Sequence, residues 1–349
     1  MSEALFQTLQ TLSNIVGTSN DEIRVRQALR PLIEPHVNSL QIDAMGNLIA
    51  FKQGSGASSL RVLVTAHMDE VGFMVVGYTG DGCLRVETTG GINDHILPGL
   101  QVVVGKERLP GVFGVKPIHR VEGGADSVPD IHSLAVDIGA KSKEEAESAA
   151  PLGTPITFAT QFREMGASLS GKAFDNRAGC TVLATLLQQS RPPFDLYGVF
   201  TVQEEVGLRG AYVAAYTVNP DVAIVLEGTL ADDLPKEEKD VSSTTELGKG
   251  PAITVKDRSY TTPPWLLRHF IQTAEAEGIP YQLKQPGISG TESGAIHIAR
   301  GGIPTITVAT PCRYIHGPVA LMRRSDLENT AKLVHAVLTR LTPEIIAVI

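Results

Sequence analysis

Leu60-Arg61-Val62-Leu63-Val64-Thr65-Ala66-His67-Met68-Asp69-Glu70 is the stretch on which the fold turns. Its first part is a short apolar, β-branched run, the texture of a strand buried on both faces of a sheet. The run stops on a histidine, with carboxylates two and three residues further on. In open α/β sheets, ligands sit beyond the carboxyl ends of the strands, so a polar group closing an apolar strand marks where chemistry belongs.

Working outward, apolar residues at Leu5, Leu9, Leu12 and Ile15 or Val16 form a helical stripe over Glu3 to Val16. Thr18-Ser19-Asn20-Asp21-Glu22 reads as the cap of a second helix that runs to about Ile33 and stops at Pro35. Between Gln41 and Lys52, Asp43-Ala44-Met45-Gly46-Asn47 reads as a turn joining two short extended runs. From Gly72 to about Phe162 the texture changes: short Val-, Ile- and Thr-bearing runs alternate with turns such as Thr79-Gly80-Asp81-Gly82, Thr89-Gly90-Gly91 and Leu152-Gly153-Thr154-Pro155. This predicts an inserted all-β module with one helix near Lys143 to Ser148.

Beyond Gly171 the α/β pattern resumes. A helix is expected from Asn176 to Gln189, strands over Leu196–Gln203 and Asp221–Leu226, and a helix near Trp265–Glu277. A strand over Pro304–Ala309 and a helix over Ser325–Leu341 close the chain. The charged stretch Ala231 to Val241 reads as a solvated loop. The fold class is therefore α/β: a mixed, mainly parallel sheet between helices, formed by residues 1–71 and 168–349, with a small all-β domain over residues 72–167.

Composition narrows the function. With 349 residues, 42% hydrophobic and 19% charged, the chain has the make-up of a globular enzyme of two domains. A net charge of -8 and the lack of any basic stripe argue against a nucleic-acid partner. No run of about 18 apolar residues and no leader pattern are visible, so no membrane partner is expected and the cytoplasm is the expected location. Cys83, Cys180 and Cys312 are far apart and odd in number, which reads as inert thiols rather than a disulfide or thiolate metal site.

Other strand ends repeat the theme of the first. Val202-Gln203-Glu204-Glu205 follows an apolar strand with two adjacent acids, which resist burial unless a cation compensates them. Val225-Leu226-Glu227-Gly228 ends a strand with an acid, and Arg313-Tyr314-Ile315-His316 follows the strand at Thr305. Asp175 stands at a helix entrance, where an N-cap is the competing reading. His67, Asp175, Glu205, Glu227 and His316 thus fall at edges that the topology carries to one rim. Two histidines with three carboxylates suit a pair of borderline divalent ions, zinc or cobalt foremost and manganese besides.

Ala66-His67-Met68-Asp69-Glu70-Val71-Gly72-Phe73, Lys172-Ala173-Phe174-Asp175-Asn176-Arg177, Glu204-Glu205-Val206-Gly207-Leu208-Arg209-Gly210 and Arg313-Tyr314-Ile315-His316 together resemble the tetrahedral aminopeptidase family, which includes glutamyl, leucyl and deblocking aminopeptidases. The resemblance spans essentially the whole chain, inserted module included, and implies a zinc-peptidase-like fold. It implies that one metal is held by Asp175, Glu205 and His316 and the other by His67, Asp175 and Glu227, with Asp175 bridging. It further implies that Asp69 orients His67, and that Glu204 is the general base in cutting N-terminal residues from short peptides. The inserted module would mediate dimerisation, and the dimers would build a tetrahedral homo-dodecamer.

The chain departs from the pattern at two points. Many members carry aspartate where this one has Glu227, and Gly290-Thr291-Glu292-Ser293 stands where Gly-Gly-Thr-Asp is common. Glu292 reads either as shaping the site or binding the substrate amine, or as a plain loop acid. By resemblance His119 reaches the active site from the inserted module, an ordinary surface histidine being the alternative; Arg313 and Tyr314 are candidate pocket residues. His36, His95, His132, His269, His297 and His335 have no ligand spacing. Competing functions are a two-metal N-acyl amino-acid deacylase or carboxypeptidase, a glycoside hydrolase built on paired acids, and a non-enzymatic binding protein.

Overall fold

The structure is a computed structural model that describes residues 2–56, 58–115, 130–189, 191–234, 243–285 and 289–346. His119 and most of the loop expected over Ala231–Val241 lie outside the described residues.

In chain order the first elements are α1 (Ser2–Asn14), α2 (Ile23–Ile33), β1 (Ser39–Ile42), β2 (Leu48–Lys52) and β3 (Arg61–His67). Then come β4 (Gly72–Tyr78), β5 (Leu84–Thr89), β6 (Gln101–Val104), β7 (Leu109–Phe113), β8 (Val136–Asp137), α3 (Lys143–Ala149) and β9 (Pro155–Phe158). The chain continues with β10 (Arg163–Met165), β11 (Ser168–Gly171), α4 (Phe174–Gln188), β12 (Asp195–Thr201), α5 (Arg209–Val218), β13 (Val222–Leu230) and β14 (Ala252–Thr254). It ends with α6 (Pro264–Glu277), β15 (Gln282–Lys284), α7 (Ser293–Ile296), β16 (Thr305–Cys312), β17 (Ala320–Arg323), α8 (Arg324–Arg340) and α9 (Pro343–Ile346).

Eight strands form one mixed sheet in the order β1-β2-β12-β3-β13-β16-β14-β15. Its centre, β12, β3, β13 and β16, is parallel throughout, with Thr201 in register with His67 and Glu227 with Ala309. The flanks reverse direction: β2 is antiparallel to β12, and β14 to β16. The four central strands therefore deliver their carboxyl ends to one rim, as the apolar runs ending in acids and histidine imply.

Alternation along β3 sorts its side chains between two cores. Val62, Val64 and Ala66 join the larger core with α1, α2, α4, α6 and α8, while Leu63 packs with Val199, Val225 and the α5 and α7 side chains Ala211 and Ala295. Helix α4 is buried on nearly all sides, from Phe174 to Leu187, because it lies between the sheet and the outer helices. Burial of Cys180 and Cys312 within this core pushes both thiols up, Cys180 to about 12, which keeps them unreactive.

Strands β4 to β9 close on themselves in the order β4-β5-β8-β7-β6-β9. This barrel has its own core, in which Phe73 meets Phe113 and Phe158 edge to face with centroids 4.9 and 6.1 Å apart. The strand β10 falls within residues 72–167, yet it pairs with β11 and, through it, with β17 in a separate three-stranded sheet. Periodicity along three residues could not reveal that this short hairpin, β10 with β11, is completed by β17, more than 150 positions beyond β11.

The expected cap before α2 is also different in the structure. Glu22 occupies the cap position without a side-chain capping bond; its Oε1 instead accepts from the backbone N–H groups of Asn20 and Gln203, at 2.9 and 3.0 Å. Ser19 donates to Asp69 Oδ2 at 2.6 Å. Residues read as local punctuation are thus taken up by contacts to the functional rim.

Candidate metal centre

His67 is the last residue of β3, and its Nε2 lies 3.3 Å from both Asp175 Oδ1 and Glu227 Oε2. His316, four residues past β16, places Nε2 3.4 Å from Asp175 Oδ2 and 3.4 Å from Glu205 Oε1. The two oxygens of Asp175 therefore face the two imidazoles from opposite sides. Three sets of side chains bring ligand atoms within 4.8 Å of one another: His67, Asp175 and Glu227; Asp175, Glu205 and His316; and His67, Glu204 and Glu205. Six of the seven residues singled out as catalytic or ligating make up these sets, the seventh, Asp69, lies against His67, and none of His36, His95, His132, His269, His297 and His335 takes part.

The backbone explains how separate strands converge so tightly. Asp175 has non-helical dihedrals at the head of α4, and its side chain does not cap the helix; Asn176 does, its Oδ1 accepting from Gly179 N at 2.9 Å. Asn176 Nδ2 turns the other way, to Leu226 O at 2.7 Å and Glu227 Oε2 at 3.2 Å, so one residue ties helix start to strand end. Opposite Asp175, Gly228 gives its N–H to Oδ1 at 3.3 Å. A Cβ there would stand 2.9 to 3.0 Å from three Asp175 atoms, so only glycine permits the approach. His316 itself has φ +60°, a left-handed backbone that is costly for a non-glycine residue and typical of functional sites.

Glu204 and Glu205 do not follow strand alternation: β12 ends at Thr201 and Gln203 adopts φ +55°, so the period-two rule lapses before either acid. Both carboxylates turn into the cluster. Asp69 sets their position: its Oδ1 accepts from Glu204 N at 3.0 Å and its Oδ2 from Glu205 N at 3.1 Å. Asp69 also supports His67, whose Nδ1 lies 3.1 Å from Asp69 O and 3.5 Å from its Oδ1. The matching support for His316 comes from the barrel, where Gly91 O lies 2.9 Å from Nδ1. Adjacent Gly90 has φ +90°, and a Cβ on it would press on Val71 Cγ1 at 2.7 Å and Glu205 Cβ at 3.1 Å.

The charges at this rim are crowded. Burial raises Glu204 well above the usual carboxylate range, with His67 opposing and Glu227, Glu205 and Asp175 adding to it. Burial likewise pushes Glu205 up to about 8 against the pull of His316. Burial disfavours a charged His67, yet Glu204, Asp175, Asp69 and Glu227 hold its pKa well above normal. His316 is raised to about 9 despite burial, by Asp175 and Glu205. Glu205 Oε1 is buried with no hydrogen-bond partner. A donor set of two imidazoles and several carboxylates, one oxygen orphaned, is what divalent cations satisfy.

Sequence reading missed the support behind the ligands. Lys172 Nζ lies 2.7 and 2.8 Å from the two Glu70 oxygens and donates to Ile15 O at 2.7 Å. Arg177, fully buried, donates to Met68 O, Leu12 O and Gly17 O. The signal was present, since Glu70, Lys172 and Arg177 flank the ligand motifs, but their mutual contact is not legible from spacing. Glu292 is also fully buried, both of its carboxylate oxygens without a hydrogen-bond partner, and its N–H reaches Glu227 Oε1 at 3.3 Å, so the loop-acid reading falls. Tyr314 is half exposed and Arg313 has its Nε bound to Asp233 Oδ1 at 2.6 Å; neither is among the residues that group as possible ligands.

A parallel α/β rim that gathers acids and imidazoles around a shared aspartate has the make-up of a metal-dependent hydrolase. Comparison narrows this: residues 46–333 match the model of the M42 glutamyl aminopeptidase family, and the chain belongs to that family. It is 33% identical over 331 residues to the lysyl aminopeptidase of Pyrococcus furiosus, covering 93% of each chain. To the glutamyl aminopeptidase of Lactococcus lactis it is 31% identical over 356 residues, covering 98% of each. Among solved structures, an aminopeptidase from Desulfurococcus kamchatkensis superposes with a TM-score of 0.95 at 35% identity, covering 100% of this chain and 98% of that one. The TET1 peptidase of Pyrococcus horikoshii, described as able to assemble into a tetrahedron or a large octahedral shell, gives 0.85 at 32% identity, covering 97% and 100%. The chain is a metal-dependent aminopeptidase, and neither the deacylase nor the glycoside hydrolase reading is favoured.

Proposed function

We propose that the chain removes N-terminal residues from short peptides with two divalent ions, zinc or cobalt foremost, one held by Asp175, Glu205 and His316 and the other by His67, Asp175 and Glu227. The observation that carries this is the division of Asp175 between the two imidazoles, at 3.3 and 3.4 Å. Bound there, two cations supply Lewis acidity, polarising the scissile carbonyl and making water acidic near neutrality.

Glu204 has the protein's part in the proton traffic. Its carboxylate, with Oε2 3.9 Å from His67 Nε2, groups with His67 and Glu205 beside the two proposed ligand sets and belongs to neither of them. It takes a proton from the attacking water and passes it to the leaving amine. Asp69 is a positioning residue, holding the Glu204 and Glu205 backbone and the His67 ring together. The longer Glu227 side chain, in place of the aspartate of many relatives, is held by Asn176 Nδ2 and Glu292 N.

The barrel is the proposed dimerisation domain, within a closed homo-oligomer that admits peptides and excludes folded proteins. Exposed Val76, Val112 and Leu152 on its strands and loops support an apolar contact between copies. Among the described residues no helix is long and apolar enough to cross a membrane, and the proposed location is the cytoplasm.

The test is elemental analysis of purified protein coupled to a digest of free and N-blocked peptides, with and without chelator. Two ions per chain and chelator-sensitive release of N-terminal residues from unblocked peptides are expected. Cleavage of blocked peptides alone, or turnover surviving exhaustive chelation, overturns the reading.

A further inference from the structure

Three successive backbone N–H groups beside the ligand cluster are each taken by a buried carboxylate: Gln203 N by Glu22 Oε1 at 3.0 Å, Glu204 N by Asp69 Oδ1 at 3.0 Å and Glu205 N by Asp69 Oδ2 at 3.1 Å. Successive amides held in this way form an anion-binding concavity, here filled by the protein's own acids while the Glu204 and Glu205 carboxylates join the cluster. Gln203 needs such a hold, because its φ of +55° is a left-handed backbone that a non-glycine residue keeps only where its surroundings impose it. Its side chain is tied as well: Nε2 reaches Asn20 Oδ1 at 3.4 Å, and Oε1 accepts from Arg209 Nη1 at 3.2 Å. Much of this hold comes from the single loop between α1 and α2. Glu22 Oε1 also accepts from Asn20 N at 2.9 Å, and Ser19 Oγ donates to Asp69 Oδ2 at 2.6 Å. Gly17 fastens the loop beside the end of β3, its N–H 3.1 Å from Glu70 Oε1 and its carbonyl receiving Glu70 N at 3.0 Å. Ser19 and Glu22 are each only 4% exposed. Burial, with Asp69 adding, pushes Glu22 up to about 7 against the backbone N–H groups that it receives. A carboxylate buried near another is a costly loop anchor, and one that an apolar side chain would avoid.

We propose that Glu22 is a positioning residue for the general base: by holding Gln203 N it fixes the left-handed turn from which Glu204 is aimed at the attacking water. This rests on the aminopeptidase reading of the site, in which Glu204 moves the proton. Glu22 is in neither ligand set and acts only through the Gln203 backbone. Without it the turn loses the bond that joins it to the α1–α2 loop through the main chain. Asp69 keeps its own grip on Glu204 N and Glu205 N, so the ion sites persist and the loss falls on the aim of Glu204. A displacement of about 1 Å at a reacting group costs on the order of a hundredfold in rate. The same use of the side chain explains why Glu22 stands at the cap position of α2 without capping it.

The experiment measures kcat, KM and ion content of the full chain, loaded with Zn²⁺ or Co²⁺, on the aminoacyl p-nitroanilide that the wild type cleaves fastest. Glu22→Met, which keeps the length of the side chain and removes the acceptor, should lower kcat roughly ten- to a hundredfold with KM and ion content unchanged. Glu22→Gln, whose amide oxygen still accepts from Gln203 N, should stay within a few-fold of the wild type, about the net worth of one hydrogen bond. Combined with Glu204→Gln, Glu22→Met should change the residual turnover by roughly twofold or less, because residues that act as one unit are not additive. A fall of equal size with and without Glu204→Gln, a fall shared equally by Met and Gln, or an unchanged kcat in Glu22→Met overturns the proposal and leaves the aminopeptidase intact. Should Glu22→Met not fold, Glu22→Asp, too short to bridge the two loops, takes its place in the same comparison. Absence of hydrolysis of every aminoacyl amide by the wild type strikes the underlying reading instead.

Discussion

Glu204 and Glu292 are both buried acids at the same rim, and their surroundings separate their roles. Glu204 belongs to neither of the two proposed ligand sets and is proposed as the general base, so Glu204→Gln should lower kcat roughly a hundred- to ten-thousandfold. Elemental analysis of that variant should still find two ions, and loss of an ion with the activity would make Glu204 a ligand instead. Glu292 has no exposure, sits beside the unpartnered hydroxyls of Thr65 and Thr201, and gives its N–H to Glu227. Burial raises it to about 7, Glu227 adding to the shift and His67 opposing it. Its charge would therefore be felt by an ion held at the proposed set of His67, Asp175 and Glu227. Glu292→Gln should weaken one of two ions by about ten- to a hundredfold, the range for partners behind a ligand, as read by calorimetric titration; equal affinity at both sites in variant and wild type would leave Glu292 a packing residue.

At the scale of elements, Lys172, Glu70 and Arg177 fasten α1, the end of β3 and the head of α4 behind the ligands. Glu70 also takes Thr157 Oγ1 at 2.9 Å, which links the barrel's last strand to the same group. Removing one partner strands the other charges without water, so Lys172→Met should cost about 3–5 kcal/mol in urea unfolding. Burial, only partly offset by Glu70, lowers Lys172 to about 8, below the 10.5 of an ordinary lysine. Between those values the unfolded chain holds more protons than the folded one, so this residue's burden on stability is fully present below pH 8 and lifts as pH rises. The stability of the wild type relative to Lys172→Met should accordingly climb between pH 8 and 10, and a flat difference would refute the assignment.

For the whole molecule, the proposed assembly and the metals bear on one another. His316, a ligand in one proposed set, leans on Gly91 of the loop after β5, so the barrel and the rim are mechanically joined. Light scattering of the purified protein should give a mass near twelve times the 37.2 kDa chain; a monomer at micromolar concentration would exclude the closed shell. Because cations bind only the folded rim, adding Zn²⁺ to chelated protein should raise its melting temperature.

The run from Leu60 to Ala66 and its counterparts leading to Glu204, Glu227 and His316 were enough to place a mainly parallel α/β sheet with the candidate ligands beyond its strand ends, because burial on both faces demands unbroken apolar residues and polarity then stands out where a strand stops. Asp175 was legible as a residue type but not as a role, since a cap and a ligand look alike at a helix entrance. What only the tertiary structure decided depends on contacts between distant segments: the pairing of the β10-β11 hairpin with β17, the turn at Gln203 that sends both glutamates inward, and the Lys172 and Arg177 anchors. Periodicity reports which face of an element is buried, whereas charge pairing and the end of alternation are set by whatever the rest of the chain brings alongside.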